Sequence, residues 1–301
     1  MYLGIEIGGT KLQLGLGRGD GQIARLWRGP VDVAAGGDGI RRQILAAVPE
    51  LLGQAGISRR DLRGIGLGFG GPVNDVAQTI IKSHQIGGWD NFPIVQWLKE
   101  NLGLPAALGN DADVAGLAEA LFGAGQGHSP IFYITIGSGI GGGLVIDRKI
   151  YRGCGQGAAE IGHLRITDKL TEPTILELIA SGWAMERQAA ELRLPCRKVP
   201  EIVQAAEAGN SMAGLIVDRA RSALADAICH VIALLCPRRI VIGGGVSLLG
   251  DSLFVPLRQL VAERVFKPFA GLTEIVPAAL GEEVVVHGAL ALARQRFGER
   301  P

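Results

Sequence analysis

The sequence predicts an α/β protein of two related halves, each organised around a strand, a glycine-dense turn and a second strand. Three observations predict it. First, Leu3-Gly4-Ile5-Glu6-Ile7 turns through Gly8-Gly9-Thr10-Lys11 into Leu12-Gln13-Leu14-Gly15-Leu16. Second, the β-branched and aromatic run of residues 131–136 stops in Gly137-Ser138-Gly139-Ile140-Gly141-Gly142-Gly143, and the apolar run 144–146 follows at once. Third, each turn carries a hydroxyl, Thr10 in one and Ser138 in the other. Glycine admits positive φ and lets backbone N–H groups approach a ligand, so such turns can cradle phosphate oxygens. Two ordinary tight hairpins would leave the same local pattern, and the other motifs must decide between the readings.

Composition narrows the class. A chain of 301 residues with 48% hydrophobic content and a net charge of +1 is a well-packed globule. Its charge predicts no field able to hold nucleic acid or an anionic membrane. Residues 231–237 form the longest apolar stretch, far short of a bilayer span. Met1-Tyr2 leads straight into a strand without a signal pattern, which predicts a soluble cytoplasmic protein. The four cysteines (Cys154, Cys196, Cys229, Cys236) lack C-x-x-C spacing, and Cys229 and Cys236 read as small core residues on one helix face.

The remaining elements follow in order. Residues 40–52 carry apolar side chains at helical spacing, ended by Gly53 and Gly56. Residues 62–69 read as a strand that breaks at Gly70-Gly71-Pro72. Trp89 reads as a packing residue before an amphipathic helix, 94–101, closed by Gly103. Asn110-Asp111-Ala112-Asp113 opens an alanine-rich helix running to about Leu121. One N-cap needs one such residue, and here three polar side chains stand together. The surplus makes Asp111 a candidate general base and Asn110 a hydrogen-bonding partner for a hydroxylated substrate. Glu160-Ile161-Gly162-His163 supplies a further polar cluster, and a helix over 175–192 places Glu177 near its start, where the helix dipole also favours an acid. A helix over 211–236, a strand at 239–242, the turn Gly243-Gly244-Gly245 and a helix over 253–265 follow. A strand-to-helix glycine turn suits a nucleotide lying against backbone. Residues 284–286 lead into a last helix through Arg296.

In this order the motifs resemble those of the ROK family of sugar kinases and sugar-responsive repressors, within the actin/hexokinase/Hsp70-like superfamily. The matching pieces are LGIEIGGTKLQLGLG (3–17), GLGFGGPVND (66–75), GNDADVAGLAEALFGAG (109–125), ITIGSGIGGGLVIDRKIYRG (134–153), GAAEIGH (157–163), ILELIASG (175–182), IVIGGGVS (240–247) and HGALALA (287–293). They span essentially the whole chain. The resemblance implies a two-domain ribonuclease-H-like fold with an interdomain cleft: residues 1–109 joined by the C-terminal helix 288–301, and residues 110–287. It implies that Gly8, Gly9, Thr10 and Lys11 form one phosphate turn, with Glu6 beside it, and that Gly137, Ser138, Gly139 and Gly141 form the other. Asp111 would take the proton from a sugar hydroxyl. Asn110, Glu160, His163 and Glu177 would bind other hydroxyls, with Gly71 at the pocket wall. Gly243, Gly244 and Gly245 would border the adenosine of ATP, and Mg²⁺ would bridge its phosphates.

Three departures stand out. Glu6 replaces the family's aspartate, and Gly70 its proline. The cysteine-rich zinc motif after His163 is missing, so no structural zinc is expected. The loop would be held instead by its shortness, by Pro173 and by packing of Leu170 and Ile175. Polyphosphate-using glucokinases are similar in lacking that zinc and in carrying NDAD. The expected activity is ATP-dependent phosphorylation of a hexose, glucose to glucose 6-phosphate, by a homodimer. Polyphosphate as donor and an N-acetylhexosamine as acceptor are the alternatives. A sugar-sensing regulator is the non-enzymatic one, although only two residues precede the first glycine strand, where the repressors carry a DNA-binding segment.

Overall fold

The computed structural model describes every residue except His84, Gln156, Lys169, Leu170 and residues 299–301, together with the side chains of Asp168 and residues 171–173. The suggested packing of Leu170 and Pro173 lies outside the described residues. The chain forms two compact units. One comprises Met1–Gln126, Arg148–Ala158 and Leu280–Pro301, the other Gly127–Asp147 and Ala159–Ala279.

In the first unit, five strands lie in the order β3-β2-β1-β4-β5: β1 (Tyr2–Ile7), β2 (Lys11–Gly17), β3 (Ile23–Pro30), β4 (Ile65–Phe69) and β5 (Ala106–Asn110). The hairpin strands pair antiparallel, with Glu6 opposite Gln13 and Ile7 opposite Leu12. β4 runs parallel to β1, and β5 parallel to β4. Every residue of β1 and β4 is buried, the signature of a sheet covered on both faces. Ile40, Ile44, Val48 and Leu51 of the helix Gly36–Ala55 join a core with Leu3, Ile5 and Leu67. The C-terminal helix Val284–Phe297 sits directly on the sheet, because a Cβ at Gly66 would collide with the Ala289 carbonyl. Gly288 does the same for the helix Asp111–Phe122, whose Val114 carbonyl occupies the place of a side chain. That close packing puts the helix in the first unit, not with the residues after it. Trp89 is fully buried between Phe69 and Phe92, as a packing residue should be.

The second unit repeats the scheme. β6 (Ile131–Ile136) and β7 (Ile140–Ile146) form an antiparallel hairpin, and β8 (Arg239–Gly243) and β9 (Glu274–Pro277) add parallel strands beyond β6. The long helix Ser211–Leu235 buries Ile216, Leu224, Ile228 and Ile232 against Phe132, Ile134 and Ile240. Cys229 is only partly buried, and Cys236 caps that helix in a left-handed conformation rather than lying within it.

Some elements differ from the sequence expectation. The glycine turn is shorter, since Gly141, Gly142 and Gly143 pair with Thr135, Ile134 and Tyr133 as part of β7. The helix expected over 175–192 is two helices, Glu177–Ala180 and Gly182–Glu191, preceded by the strand Thr171–Ile175. Ser181 is extended between them and caps the second through Ala184 N–H. The helix Val199–Glu207 and strands β3 and β9 had no clear sequence signal. Among the described residues no helix is long and apolar enough to cross a membrane.

Candidate active site

In the first unit the site grows from the end of β1. Gly8 N–H donates to the Lys11 carbonyl at 3.0 Å and closes the turn, leaving Thr10 exposed at its tip. Glu6, one residue before the end of β1 at Ile7, is buried. Gln13 Nε2 donates to its Oε2 at 2.6 Å, and Lys11 Nζ lies 3.6 Å from Oε1. Lys11 Nζ and Gln13 Nε2 also donate to the Glu282 carbonyl, each at 3.1 Å. Burial draws the Glu6 carboxyl above the ordinary range, although Lys11 and the Gln13 hydrogen bond oppose the shift. Gln13 was not a sequence candidate. The signal was available, since hairpin pairing sets it opposite Glu6.

β4 ends beside the same turn, with Gly70 N–H donating to the Ile7 carbonyl at 2.9 Å. A Cβ at Gly70 would stand 3.4 Å from Asp111 Oδ2 and 3.7 Å from Gly8 Cα, so the Asp111 carboxylate lies near the Gly8–Lys11 turn. Asn110 ends β5 and caps the helix Asp111–Phe122: its Oδ1 accepts from Ala112 N–H at 2.8 Å, while its Nδ2 donates to the Gly71 carbonyl at 3.0 Å. Asp111 Oδ1 also accepts from Ala112 N–H at 2.8 Å. The capping work thus falls chiefly to Asn110. Glu6, Gly8–Lys11, Gly70–Gly71, Asn110 and Asp111 form one constellation.

The second unit assembles the other candidates at the carboxyl ends of β6 and β8, the end of a parallel sheet where ligands bind. Gly137 N–H donates to the Gly139 carbonyl at 2.9 Å and closes the turn around Ser138. Positive φ was one expected reason for its glycines, but neither Gly137 nor Gly139 has it. At Gly139 a Cβ would meet the Glu177 carboxylate and have to displace it. Gly142 likewise backs onto the Ala159 carbonyl. Gly244 does adopt positive φ, 83°, and packs on the backbone of Ile136, which sets the Gly243–Gly245 turn next to the Gly137–Gly139 turn.

Glu160 and His163 span one short turn, closed by His163 N–H donating to the Glu160 carbonyl at 3.0 Å. Both side chains reach solvent. Partial desolvation raises the Glu160 pKa; His163 opposes this and the negative charge of Glu177 adds to it. Ala159 precedes Glu160 with φ 63°, a left-handed conformation that an alanine adopts only under constraint. Among the described residues, no group of three or more His, Cys, Asp or Glu side chains is arranged to hold a metal ion.

Two sheets of this order, each closing its hairpin with a glycine turn, define a protein of the actin/hexokinase class. Residues 2–296 match the ROK family model, and the chain belongs to the ROK family; it is a sugar kinase of that family. It is 33% identical to a glucokinase of Halalkalibacterium halodurans, over 98% of this chain and 95% of the relative. It is 30% identical to a glucokinase of Thermotoga maritima, over 98% of each chain. The crystal structure of a ROK family glucokinase from Streptomyces griseus, in complex with glucose and AMPPNP, superposes with a TM-score of 0.82 at 29% identity, covering 98% of this chain and 99% of that one.

Proposed function

We propose that the protein phosphorylates a hexose from ATP, converting glucose to glucose 6-phosphate, with Asp111 as general base. The observation that carries this reading is the Asp111 carboxylate flanking Gly8 and Gly70 while Asn110 does the capping. The glucokinase relatives and the Streptomyces griseus complex support glucose and ATP as the substrates. In the reaction, Asp111 accepts the proton of the attacking hydroxyl as its oxygen bonds to the γ-phosphorus. The bond from that phosphorus to the β–γ bridging oxygen breaks, and ADP leaves with the electron pair. Asn110, Glu160, His163 and Glu177 orient the sugar, and the N–H groups of the two glycine turns hold the donor phosphates.

Mg²⁺ borne by the nucleotide would neutralise phosphate charge, and such an ion needs only one or two carboxylates from the protein. Glu6 fits that need: its carboxyl oxygen stands 4.0 Å from the place of a Cβ on Gly8, and Gln13 and Lys11 hold it there.

The donor and acceptor are tested by a coupled assay of the purified protein over a panel of hexoses and N-acetylhexosamines, with ATP and polyphosphate as donors. Glucose with ATP should give the highest kcat/KM. A preference for polyphosphate or for an N-acetylhexosamine replaces that substrate assignment, and sugar binding without turnover on any donor supports the regulator reading.

A further inference from the structure

Glu177 was expected among the sugar-binding residues, yet its carboxylate is already engaged with the donor turn of its own unit. It opens the short helix Glu177–Ala180, and its Oε2 accepts from Ile140 N–H at 2.8 Å. The same oxygen lies against Gly139, so a side chain there would have to displace the carboxylate. One turn further on, Gly182 N–H donates to the Gly137 carbonyl at 2.8 Å. The turn Gly137–Ser138–Gly139 is therefore held at both ends by the segment 177–182. Ser181, extended between the two helices, separates the two residues that make these bonds. Gly162, inside the Glu160–His163 turn, packs directly on the Ile140 carbonyl, and the Glu177 charge adds to the upward shift of the Glu160 pKa. Ile140, whose N–H the Glu177 carboxylate holds, thus also meets the Glu160–His163 turn through its carbonyl.

We infer that Glu177 is a positioning residue that couples sugar binding to donor binding. Resting on the proposed sugar-kinase reading, the inference is that a sugar hydroxyl donating to the Glu177 carboxylate fixes the side chain in the place where it holds Ile140 N–H. The donor turn is then ordered before nucleotide arrives. Coupling of this kind is reciprocal, so each ligand must tighten the other by the same factor. Glutamine at this position keeps an oxygen for Ile140 N–H but removes the charge and half of the acceptor capacity, whereas alanine removes both functions.

The test is calorimetric titration of a non-hydrolysable ATP analogue with and without saturating glucose, and of glucose with and without the analogue. The wild type should show mutual tightening of about fivefold or more, the lower end of ordinary coupling between sites. Glu177→Gln should bring the factor close to one while leaving the analogue's affinity in the absence of sugar within about twofold. Glu177→Ala should lose the coupling and also weaken the analogue alone. Because the alanine variant could lose its fold, a second readout uses the wild type and Glu177→Gln: the ¹⁵N–¹H resonance of Ile140 should move on glucose addition without nucleotide, and should not move in the variant. Unchanged coupling in Glu177→Gln, or an Ile140 resonance that ignores glucose in the wild type, overturns the inference. Independent binding of both ligands to the wild type overturns the coupling alone. Failure of the wild type to bind either ligand overturns the kinase reading with it.

Discussion

Glu6 shows how one side chain sets a condition on the whole fold. A carboxyl buried beside the Gly8–Lys11 turn has a pKa above its unfolded value of about 4.3. An acid shifted upward contributes stability that is fully present below the unfolded pKa and is lost as pH rises through the folded pKa. Glu6→Gln cannot titrate, and its amide oxygen can still accept from Gln13 Nε2. The melting temperature of the wild type should therefore fall relative to Glu6→Gln as pH rises above about 4.3. A difference that stays constant as pH rises, or runs the other way, would show that Lys11 and Gln13 fully compensate the burial. At this scale the sequence exposed the residue types but not their partners. Asp111 and Asn110 stood out because three polar side chains crowd one helix start. Gln13 escaped notice because an amide in a strand looks like ordinary alternation until the pairing with Glu6 is known.

At the scale of elements, the glycines divide into those that make room and those that do not. Gly288 stands where the C-terminal helix meets the Val114 carbonyl, and a backbone atom there cannot swing aside. Gly288→Ala should cost about 1–3 kcal/mol, the range for overpacking a tight contact. Gly214, inside the helix Ser211–Leu235, has nothing within 4 Å of a Cβ position. Gly214→Ala should instead stabilise by about 0.5–1 kcal/mol through helix propensity. Urea denaturation of the two variants checks the pair, and equal effects would mean that the helix contact at Val114 gives way. The same distinction explains what periodicity could reach. Apolar spacing and glycine turns announced both hairpins and the helix Gly36–Ala55, whose signals are local. The break at Ser181 was not legible, because Gly182 N–H is committed to the distant Gly137 carbonyl. The contact at Gly139 was also hidden, since the carboxylate that lies against it belongs to Glu177, far along the chain.

For the whole molecule, a ligand that binds only the folded state raises its stability, by about 2.7 kcal/mol at a hundred times the dissociation constant. Glucose should therefore raise the melting temperature in a dose-dependent way. Glu160→Gln should weaken that rise, while Glu263→Gln, on an exposed helix face, should leave it intact. Equal rises in the two variants would remove Glu160 from the sugar site. The central claim is that Asp111 takes the proton from the sugar during phosphoryl transfer, and the most direct measurement is steady-state turnover of Asp111→Asn with glucose and ATP, beside calorimetric glucose binding. An amide keeps the shape of the carboxylate but cannot accept the proton. The variant should bind glucose within a few-fold of the wild type, with kcat lowered by about 10²–10⁴-fold, the usual contribution of general-base catalysis. Near-normal kcat with intact glucose binding would contradict the account.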